Sequence, residues 1–347
     1  MKQNERIKIL CQLGAFFKSF CKNNTKPKHE RFIRKLELAI IESISKNPYF
    51  EKKNILYNLK YWSRILERNT LESFTSKFYL NEKILNVGII MAGNIPLVGF
   101  HDFLCVFLSG NKCNIKLSKK DSSLFMFIVD FLKKHEKNIN KYVTISENKL
   151  ENYDAVIATG NDTSAKQFKK YFGKVPNIIR NSRHSIAVLN GEESNDDLKK
   201  LSFDIFMYYG LGCRSVSKLY LPKDYNINLI TTNLEDWKKV LNNSTYYNNY
   251  MYYKTIYLMK GDRFIDTGFS IIKESNQIGS PISTIFYEYY NDQKELQKKL
   301  IVNEKHIQCI VSNNIVENSI KFGSTQRPSI DDYADKINTM DFLLKLS

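Results

Sequence analysis

ILNVGIIM, at residues 84–91, is a short and mostly apolar run, and AGNIPLVGFHDFLCVFL follows it directly at residues 92–108. An apolar run of this length predicts a buried strand, and the longer run that begins near Pro96 predicts a helix with a proline near its first turn. A buried strand that leads through a short turn into a helix is the repeating unit of parallel sheets. We therefore expect an α/β fold built around residues 84–108.

The same alternation continues on the carboxyl-terminal side of this unit. Strands are predicted at residues 113–117, 142–145, 153–158 and 185–189, and helices at residues 122–134, 163–172 and 196–209. Strands that alternate with helices predict a doubly wound parallel sheet with helices on both faces. Sheets of this kind bind ligands beyond the carboxyl ends of their strands.

The flanking regions have different patterns. Residues 1–80 are helical in character, as the apolar spacing of residues 31–45 illustrates. From about residue 213 a further α/β region begins with a strand at 217–221, and it ends with a helix at 337–346. The chain therefore predicts two α/β domains and a helical amino-terminal region.

The composition is that of a soluble globular protein. The 347 residues are 43% hydrophobic and 25% charged, which excludes a disordered or collagen-like chain. No run approaches the roughly 18 apolar residues of a membrane span. The first twenty residues have no signal-peptide core, so a cytoplasmic protein is expected. The six cysteines form no Cys-x-x-Cys pair, which argues against structural zinc and a disulfide framework, and no metal site is predicted.

The chain carries 52 Lys and Arg residues against 36 Asp and Glu residues, a formal charge of +16. One interpretation is an anionic partner such as nucleic acid, an acidic membrane surface or a phosphorylated ligand. The other is a set of lysines on solvated faces, and the lack of a single basic tract favours it. A nucleic-acid-binding protein with the same α/β fold is an alternative interpretation of the charge, although no RNA-binding motif of aromatic and basic residues is visible.

Asn94 lies in the turn between the first predicted strand and its helix. One interpretation is a side-chain amide that donates to a developing oxyanion. The structural alternative is an N-cap for the helix that follows. The sequence around Asn94 does not distinguish between these two interpretations.

The segment ATGNDT, residues 158–163, joins a strand to a helix. Backbone N–H groups at a helix start bind phosphate, and Gly160 lets the backbone approach it closely. The chain has no G-x-G-x-x-G sequence, so the usual dinucleotide fingerprint is absent. Many turns between strands and helices have this composition, so the signal is weak by itself.

Cys213 follows two glycines in YYGLGCRS, residues 208–215, between a helix and a strand. Glycines allow a sharp bend and close approach to a ligand. A cysteine there serves as a nucleophile when neighbouring N–H groups or cations lower its pKa. The alternative is a small buried residue, which suits Cys105 and Cys113 in their apolar settings. The five histidines are scattered and form no visible Ser-His-Asp arrangement.

Together, the order and spacing of these segments resemble the aldehyde dehydrogenase superfamily. Asn94 in AGNIPL is similar to the asparagine of its P-W-N-F-P segment, and Lys116 in NIKLSKKD is similar to its K-P-S/A-E lysine near the adenosine ribose. Gly160 and Asn161 resemble the F-T-G-S turn beside the cofactor diphosphate. Cys213 resembles the nucleophile of the superfamily's G-Q-x-C segment.

A closer resemblance is to the acyl-CoA reductase branch, the LuxC type that supplies aldehyde to bacterial luciferase. The segments that carry it are AGNIPLVGFHDFL, IKLSKKD, VIATGNDTSAKQFKKYFGK, RNSRHSIAVLNGEE, YYGLGCRSVSKLYLP and FGSTQRPSIDDYAD. The resemblance extends from about residue 85 to the carboxyl terminus and is weak over the first 80 residues.

Two segments depart from the pattern of the superfamily. The dehydrogenases carry Glu-Leu-Gly-Gly-Lys, whose Glu is the general base that hydrolyses the acyl-enzyme, whereas residues 178–183 are IIRNSR and contain no carboxylate. Loss of that base disfavours oxidation to an acid and suits reduction of an activated acyl group. The E-x-F-G-P segment, whose Glu holds the nicotinamide ribose, corresponds to QIGSP, so the resemblance places Gln277 at the cofactor.

The resemblance implies an NADPH-dependent reduction of a long-chain acyl-CoA to the fatty aldehyde. Cys213 would form a covalent acyl thioester, with the Asn94 amide and the Cys213 backbone N–H as donors to the oxyanion. The implied contacts to NADPH are Lys116, Ser118, Thr159, Gly160, Asn161 and Gln277. The alternative is a reductase of another activated acyl group, either a carrier-protein thioester or an acyl phosphate.

The resemblance also implies an aldehyde dehydrogenase-like domain organisation. Residues 1–80 would pack on a Rossmann-like NADP(H) domain at 81–205, which is followed by a catalytic domain at 206–325 and a terminal segment at 326–347. The expected partners are the acyl-CoA substrate, an acyl-transferring protein or acyl carrier, and further copies of the chain in a homo-oligomer. Neither nucleic acid nor a membrane span is expected.

Overall fold

The computed structural model describes residues 1–24, 29–79 and 83–346 and divides into two compact units. The first comprises Met1–Asn181 and Ser329–Ser347, and the second comprises Ser182–Pro328. The second unit begins at Ser182, since the strand that begins at His184 is hydrogen-bonded into its sheet. The boundary predicted at 80/81 lies outside the described residues.

Four helices open the first unit, as the helical pattern of its amino-terminal residues predicts. They are α1 (Gln3–Cys21), α2 (Glu30–Lys46), α3 (Lys52–Ile65) and α4 (Arg68–Thr75). Large apolar side chains such as Phe17, Leu36 and Trp62 are buried on their inner faces and join the core of the sheet that follows. Removal of this apolar surface from water holds the helices against the sheet.

The first unit continues with a five-stranded sheet. Its elements are β1 (Asn86–Ile90), α5 (Phe100–Leu108), β2 (Lys112–Lys116), α6 (Ser123–His135), β3 (Val143–Ile145), β4 (Ala155–Thr159), α7 (Asp162–Phe172) and β5 (Asn177–Arg180). The strand order is β3-β2-β1-β4-β5, and each neighbouring pair is parallel. β1 lies at the centre with Val87 and Ile89 fully buried, which explains its continuous apolar run. The predicted parallel sheet is confirmed.

The second unit contains a six-stranded sheet. Its elements are β6 (His184–Val188), α8 (Asn195–Phe206), β7 (Val216–Pro222), α9 (Asn228–Leu234), α10 (Ser244–Met259), β8 (Ile265–Asp266), β9 (Ile271–Glu274), β10 (Thr284–Tyr290), α11 (Gln293–Asn303) and β11 (Ile307–Val311). The strand order is β11-β6-β7-β10-β9-β8, with β8 antiparallel to β9 and the other pairs parallel. Across the described ranges, no helix combines the length and apolar character needed to cross a membrane.

The turn after β1 differs from the prediction at one point. The helix expected from Pro96 begins only at Phe100, because residues 96–99 form a turn in which Leu97 has a φ of +53°. The buried Asp121 carboxylate accepts the Leu97 N–H at 2.7 Å, and the Leu97 carbonyl accepts the Phe100 N–H at 3.0 Å. The carboxylate therefore stabilises a turn at the position where the sequence predicts the first helical residues.

A buried ion pair ties the edge of the first sheet to two helices. Arg180 ends β5 and donates through Nη1 to Asp102 on α5. Its Nη2 donates at 3.0 Å to Oγ1 of Thr339, the first residue of α12 (Thr339–Leu344). The side chains of Arg180 and Asp102 are only 4% and 9% exposed, so either charge left alone would lack solvent.

We expect Arg180→Met to destabilise the first unit by about 3–5 kcal/mol, because it leaves the Asp102 carboxylate buried without its cation. Urea denaturation measures the change in the free energy of unfolding. Arg34→Met is the matched control, since Arg34 pairs with Glu30 on the exposed face of α2 and should be close to neutral. An effect of Arg180→Met no larger than that of the control would contradict the prediction.

Candidate active site

The segments singled out in the first half of the chain lie side by side. β1 pairs with β2 on one side and with β4 on the other, so the residues that follow these three parallel strands emerge at one edge of the sheet, called here the carboxyl edge. They are Asn94 after β1, Lys116 and Ser118 at the end of β2, and residues 159–161 at the end of β4. The strand order reverses direction at β1, and open α/β sheets bind ligands at such a switch point.

Asn94 is exposed in the turn after β1, and neighbouring side chains hold that turn. Asn47 donates from Nδ2 to the Gly93 carbonyl at 2.9 Å. Gly93 packs so closely on Ser118 that a Cβ at this position would lie 2.4 Å from the hydroxyl. The N-cap of α5 is Gly99, so Asn94 does not cap this helix. Asn94 is therefore an exposed residue on a backbone that its neighbours hold in place.

Lys116 and Ser118 follow at the end of β2. The Nζ of Lys116 donates to the Glu147 carbonyl at 3.4 Å and to the Asn148 carbonyl. The hydroxyl of Ser118 accepts the Lys120 N–H at 3.3 Å and so caps the short helical turn that follows. Both side chains are half-buried, and Lys116 keeps a cation at the carboxyl edge.

Thr159, Gly160 and Asn161 link β4 to α7. The Gly160 N–H donates to the Arg180 carbonyl at 3.2 Å, and a Cβ on Gly160 would lie 2.7 Å from the Cβ of Ser164. Asn161 is the N-cap of α7, because its side-chain oxygen accepts the Ser164 N–H at 2.8 Å. The first residues of α7 are exposed, so the positive end of its dipole lies open at the carboxyl edge.

Cys213 belongs to the second unit, and a sharp reversal of the chain precedes it. Tyr208, Tyr209 and Gly210 have consecutive left-handed φ values of +55°, +58° and +74°. A left-handed backbone is strained at bulky residues, and the buried rings of both tyrosines hold it in place. The bend predicted at Gly210 is present and begins two residues earlier.

A buried serine anchors the backbone of Cys213. The Ser185 hydroxyl donates to the Cys213 carbonyl at 2.9 Å and lies 2.9 Å from the Sγ of Cys309. The Ser217 hydroxyl donates to the Ile278 carbonyl at 3.3 Å and lies 3.5 Å from the Ser185 carbonyl. These contacts connect the start of β6, the cysteine turn and the segment after β9. No pattern in the sequence singled out Ser185.

Exposure separates Cys213 from the other cysteines of the chain. Cys213 is exposed, whereas Cys309 is half-buried against Ser185. Burial raises the pKa of the remaining four cysteines, which are Cys11, Cys21, Cys105 and Cys113. Thiols with a raised pKa stay protonated and react slowly. Cys213 is therefore the cysteine whose setting suits a nucleophile.

Gln277 is exposed in the segment that follows β9, and its N–H donates to the Ser275 hydroxyl at 3.2 Å. Two residues further on, a Cβ on Gly279 would lie 2.3 Å from two ring atoms of His184. Gln277, Gly279 and Tyr257 are among the residues that line a cavity of about 490 Å³. The glycine thus brings this segment against the start of β6.

Lys218 is a buried charge that sequence reasoning missed. It lies within β7 with no exposed surface, and its Nζ donates to Glu288 at 2.7 Å and to the Ser275 carbonyl. Lys299 binds the second carboxylate oxygen of Glu288 at 2.9 Å. Burial lowers the pKa of Lys218 despite its partner, while the two lysines outweigh burial and lower the pKa of Glu288. The sequence signal that could have identified it is a lysine inside the apolar strand VSKLYLP. The ion cluster of Lys218, Glu288 and Lys299 also holds the segment that carries Gln277, through the Ser275 carbonyl.

Several solved structures with this fold are aldehyde dehydrogenases. Aldehyde dehydrogenase 21 from Physcomitrella patens, in complex with the reaction product succinate, is 11% identical with a TM-score of 0.70, over 99% of this chain and 84% of that chain. An indole-3-acetaldehyde dehydrogenase complexed with NAD+ is 13% identical with a TM-score of 0.68, over 90% and 72%. An NAD-dependent aldehyde dehydrogenase from Sinorhizobium meliloti is 12% identical with a TM-score of 0.65, over 90% and 71%. The predicted aldehyde dehydrogenase-like fold is confirmed.

Sequence comparison defines the family more closely. The profile of the LuxC family, described as acyl-CoA reductase, matches residues 8–235, which is more than half of the chain. The chain belongs to the acyl-CoA reductase (LuxC) family, which confirms the resemblance of its segments. Family and fold together make it an oxidoreductase of acyl or aldehyde groups. A comparison with curated proteins gave no significant match.

Iodoacetamide at neutral pH is expected to modify Cys213 before the other cysteines, because Cys213 is exposed and the others are half-buried or buried. Peptide mass spectrometry along a time course measures the order of modification. Cys105 and Cys113 should react only once the chain unfolds. Cys213→Ser serves as the control and should remove the fast phase alone. Fast alkylation of a buried cysteine ahead of Cys213 would disprove this order.

Proposed function

We propose that the chain reduces a long-chain acyl-CoA to the fatty aldehyde through an acyl thioester on Cys213, with NADPH as the reductant. The observation that carries the proposal is the exposed Cys213, which follows a strained reversal and whose backbone carbonyl is anchored by Ser185, in a chain of the acyl-CoA reductase family. A cysteine thiolate is an effective nucleophile toward thioesters.

The first half-reaction transfers the acyl group to the protein. The Cys213 thiolate attacks the thioester carbonyl, and the carbonyl electron pair moves to the oxygen. We assign the Cys213 backbone N–H and, from the family resemblance, the Asn94 side-chain amide as donors to this oxyanion. The bond to the CoA sulfur then breaks, and CoA leaves as a thiolate that takes a proton from water. A thiolate is a good leaving group, so this step needs no dedicated acid.

The second half-reaction reduces the acyl group while it is held on Cys213. A nicotinamide nucleotide, held at the carboxyl edge by residues such as Lys116 and Gly160, would supply a hydride to the thioester carbonyl carbon. The same donors hold the oxyanion of the resulting hemithioacetal on Cys213. Its carbonyl re-forms as the bond to sulfur breaks, which releases the aldehyde and restores the thiolate.

The residues of the carboxyl edge fit a nicotinamide nucleotide. Lys116 contributes a cation, and the exposed start of α7 behind Gly160 suits a diphosphate. We assign Ser118, Thr159 and Asn161 to the same nucleotide, and Gln277 to its nicotinamide ribose, from the family resemblance. Two of the similar structures are described as NAD-dependent or NAD+-bound, which supports a nicotinamide nucleotide. The choice of NADPH rests on the resemblance to acyl-CoA reductases.

The segment at residues 178–183 supports reduction rather than hydrolysis. It contains no carboxylate, and its central residue Arg180 is bound to Asp102 and Thr339. A water molecule near the acyl thioester therefore has no base from this segment. The absence of this base disfavours hydrolysis of the acyl thioester relative to hydride transfer.

Intact-protein mass after mixing with a long-chain acyl-CoA, without nicotinamide, tests the acylation step. We expect a mass gain of one acyl group that requires Cys213 and disappears when NADPH is added. Cys309→Ala is the control, since Cys309 lies beside Ser185 yet should not accept the acyl group. The absence of a gain with any acyl-CoA would exclude CoA thioesters as donors. Acyl carrier proteins and acyl phosphates would then be the donors to test.

Asn94→Ala is expected to slow turnover by about 10²–10³-fold, because one donor to the oxyanion is lost. Cys213→Ala should abolish turnover. Steady-state kinetics with acyl-CoA and NADPH measure both effects. Asn140→Ala removes an amide from an exposed position elsewhere in the first unit and should leave the rate unchanged. Near-normal turnover by the Asn94 or Cys213 variant would refute the role given to that residue.

A further inference from the structure

A cavity of about 710 Å³ opens in the second unit beside α8 and is called here the α8 cavity. Three pieces of chain line it: the part of α8 from Asp197 to Phe203, the loop at residues 312–314 after β11, and residues 321–327. Cavities of roughly 300–1,000 Å³ accommodate small-molecule ligands and cofactors. The residues proposed above for the nicotinamide nucleotide do not line it.

The walls of the α8 cavity are basic. The cationic side chains that line it are Lys199, Lys200, Lys321 and Arg327. The lining also includes Asp197, whose carboxylate accepts the Ser194 hydroxyl at 2.7 Å and the Asn313 amide at 3.4 Å. The four lining cations exceed this one lining carboxylate, and Lys200 additionally pairs with Asp196 at 2.6 Å, so the excess positive charge rests mainly on Lys199, Lys321 and Arg327. A concave surface with excess positive charge concentrates anions.

The cavity next to Gln277 has a different character. Its walls carry the aromatic rings of Tyr253, Tyr257 and Phe286. Its charged lining residues are Lys260, Lys273 and Asp262, and Lys273 lies 3.5 Å from the Asp262 carboxylate, so its excess of positive charge is smaller. A ligand with several phosphate groups is better matched by the α8 cavity.

Residues 323–327 connect the α8 cavity to the nucleophile. The Asp204 carboxylate on α8 accepts the Gly323 N–H at 2.6 Å and the Thr325 N–H at 3.1 Å. On the other side of the segment, Arg214 donates to the Thr325 carbonyl at 3.4 Å, and Gln326 donates to the Ser215 hydroxyl at 3.4 Å. The segment that forms one wall of the cavity is thus bonded to the two residues that follow Cys213.

We propose that the α8 cavity binds the phosphorylated adenosine end of the acyl-CoA, with the pantetheine arm running along residues 323–327 to Cys213. This assignment rests on the proposed acyl-CoA reductase function. The adenosine end of CoA carries a 3′-phosphate and a diphosphate, so several cations can contact it at once. Its thioester lies at the far end of a long flexible arm, which suits a phosphate site set apart from the reacting sulfur.

Two substrates with the same acyl group separate phosphate binding from chemistry. A long-chain acyl-CoA and the matching S-acyl-pantetheine deliver the same acyl group to Cys213, but the second lacks phosphates. For the double variant Lys199→Ala with Lys321→Ala, the KM for acyl-CoA should rise about tenfold or more, since contacts between charged groups are lost. Its kcat and its KM for acyl-pantetheine should not change.

The matched control removes two exposed lysines of α11, as Lys294→Ala with Lys298→Ala. It changes the net charge equally and should leave both KM values unchanged. An equal rise of KM for the two substrates would overturn the proposal, because phosphate contacts would not be the cause. An effect of the control as large as that of the cavity variant would also overturn it.

Calorimetry of the full chain with CoA alone separates this inference from the proposed function. We expect CoA binding to weaken about tenfold in the cavity variant while NADPH binding is unchanged. An equal loss for CoA, NADPH and inorganic phosphate would make the cavity a general anion surface and refute the assignment. If neither substrate acylates Cys213 but CoA binding depends on the two lysines, the cavity assignment stands and the reductase function fails. If Cys213 is acylated but CoA binding does not depend on the two lysines, the reductase function stands and the cavity assignment fails.

Discussion

The parallel hydrogen bonding of β1 to both β2 and β4 is the constraint on which the first unit depends. Parallel neighbours require crossover connections, so each strand must end at the same edge and the chain must return through a helix. The turns after the three strands are therefore brought together whatever their sequence. The sequence determines how these turns are held. Around the turn that carries Asn94, the contacts come from Asn47, Ser118 and Asp121.

In the second unit, the candidate site residues lie at the amino ends of the strands and not at the carboxyl ends. Cys213 precedes β7, and the serine that anchors its carbonyl lies near the start of β6, so the cysteine turn lies at the amino ends of adjacent parallel strands. The segment after β9 is held against the same strands by the contact of Gly279 with His184 and by the buried ion cluster of Lys218. If Cys213 acts as the proposed nucleophile, a backbone that is fixed on both sides of it favours a reacting geometry that is already formed before the reaction.

Much of this arrangement could be predicted from local sequence. Most strands and helices between residues 84 and 222 follow apolar patterns, and the glycines before Cys213 predict the bend that precedes it. The features that were missed depend on pairing across long stretches of chain. The short run NIIR forms β5 because β4 is beside it, and β6 joins the second unit because β7 and β11 flank it. The Lys218 cluster and the α8 cavity likewise assemble from residues that only the fold brings together.

The left-handed turn before Cys213 has a consequence for distant residues. Two bulky residues in this conformation cost about 1–2 kcal/mol each, whereas removal of a large buried aromatic side chain costs about 3–5 kcal/mol. The ring of Tyr209 lies 5.7 Å from that of Tyr246 on α10, and both are buried. Packing therefore outweighs the local backbone preference, and the shape of the turn is determined at the contact between these rings. Tyr246, although remote in sequence from the thiol, is part of what keeps the thiol in position.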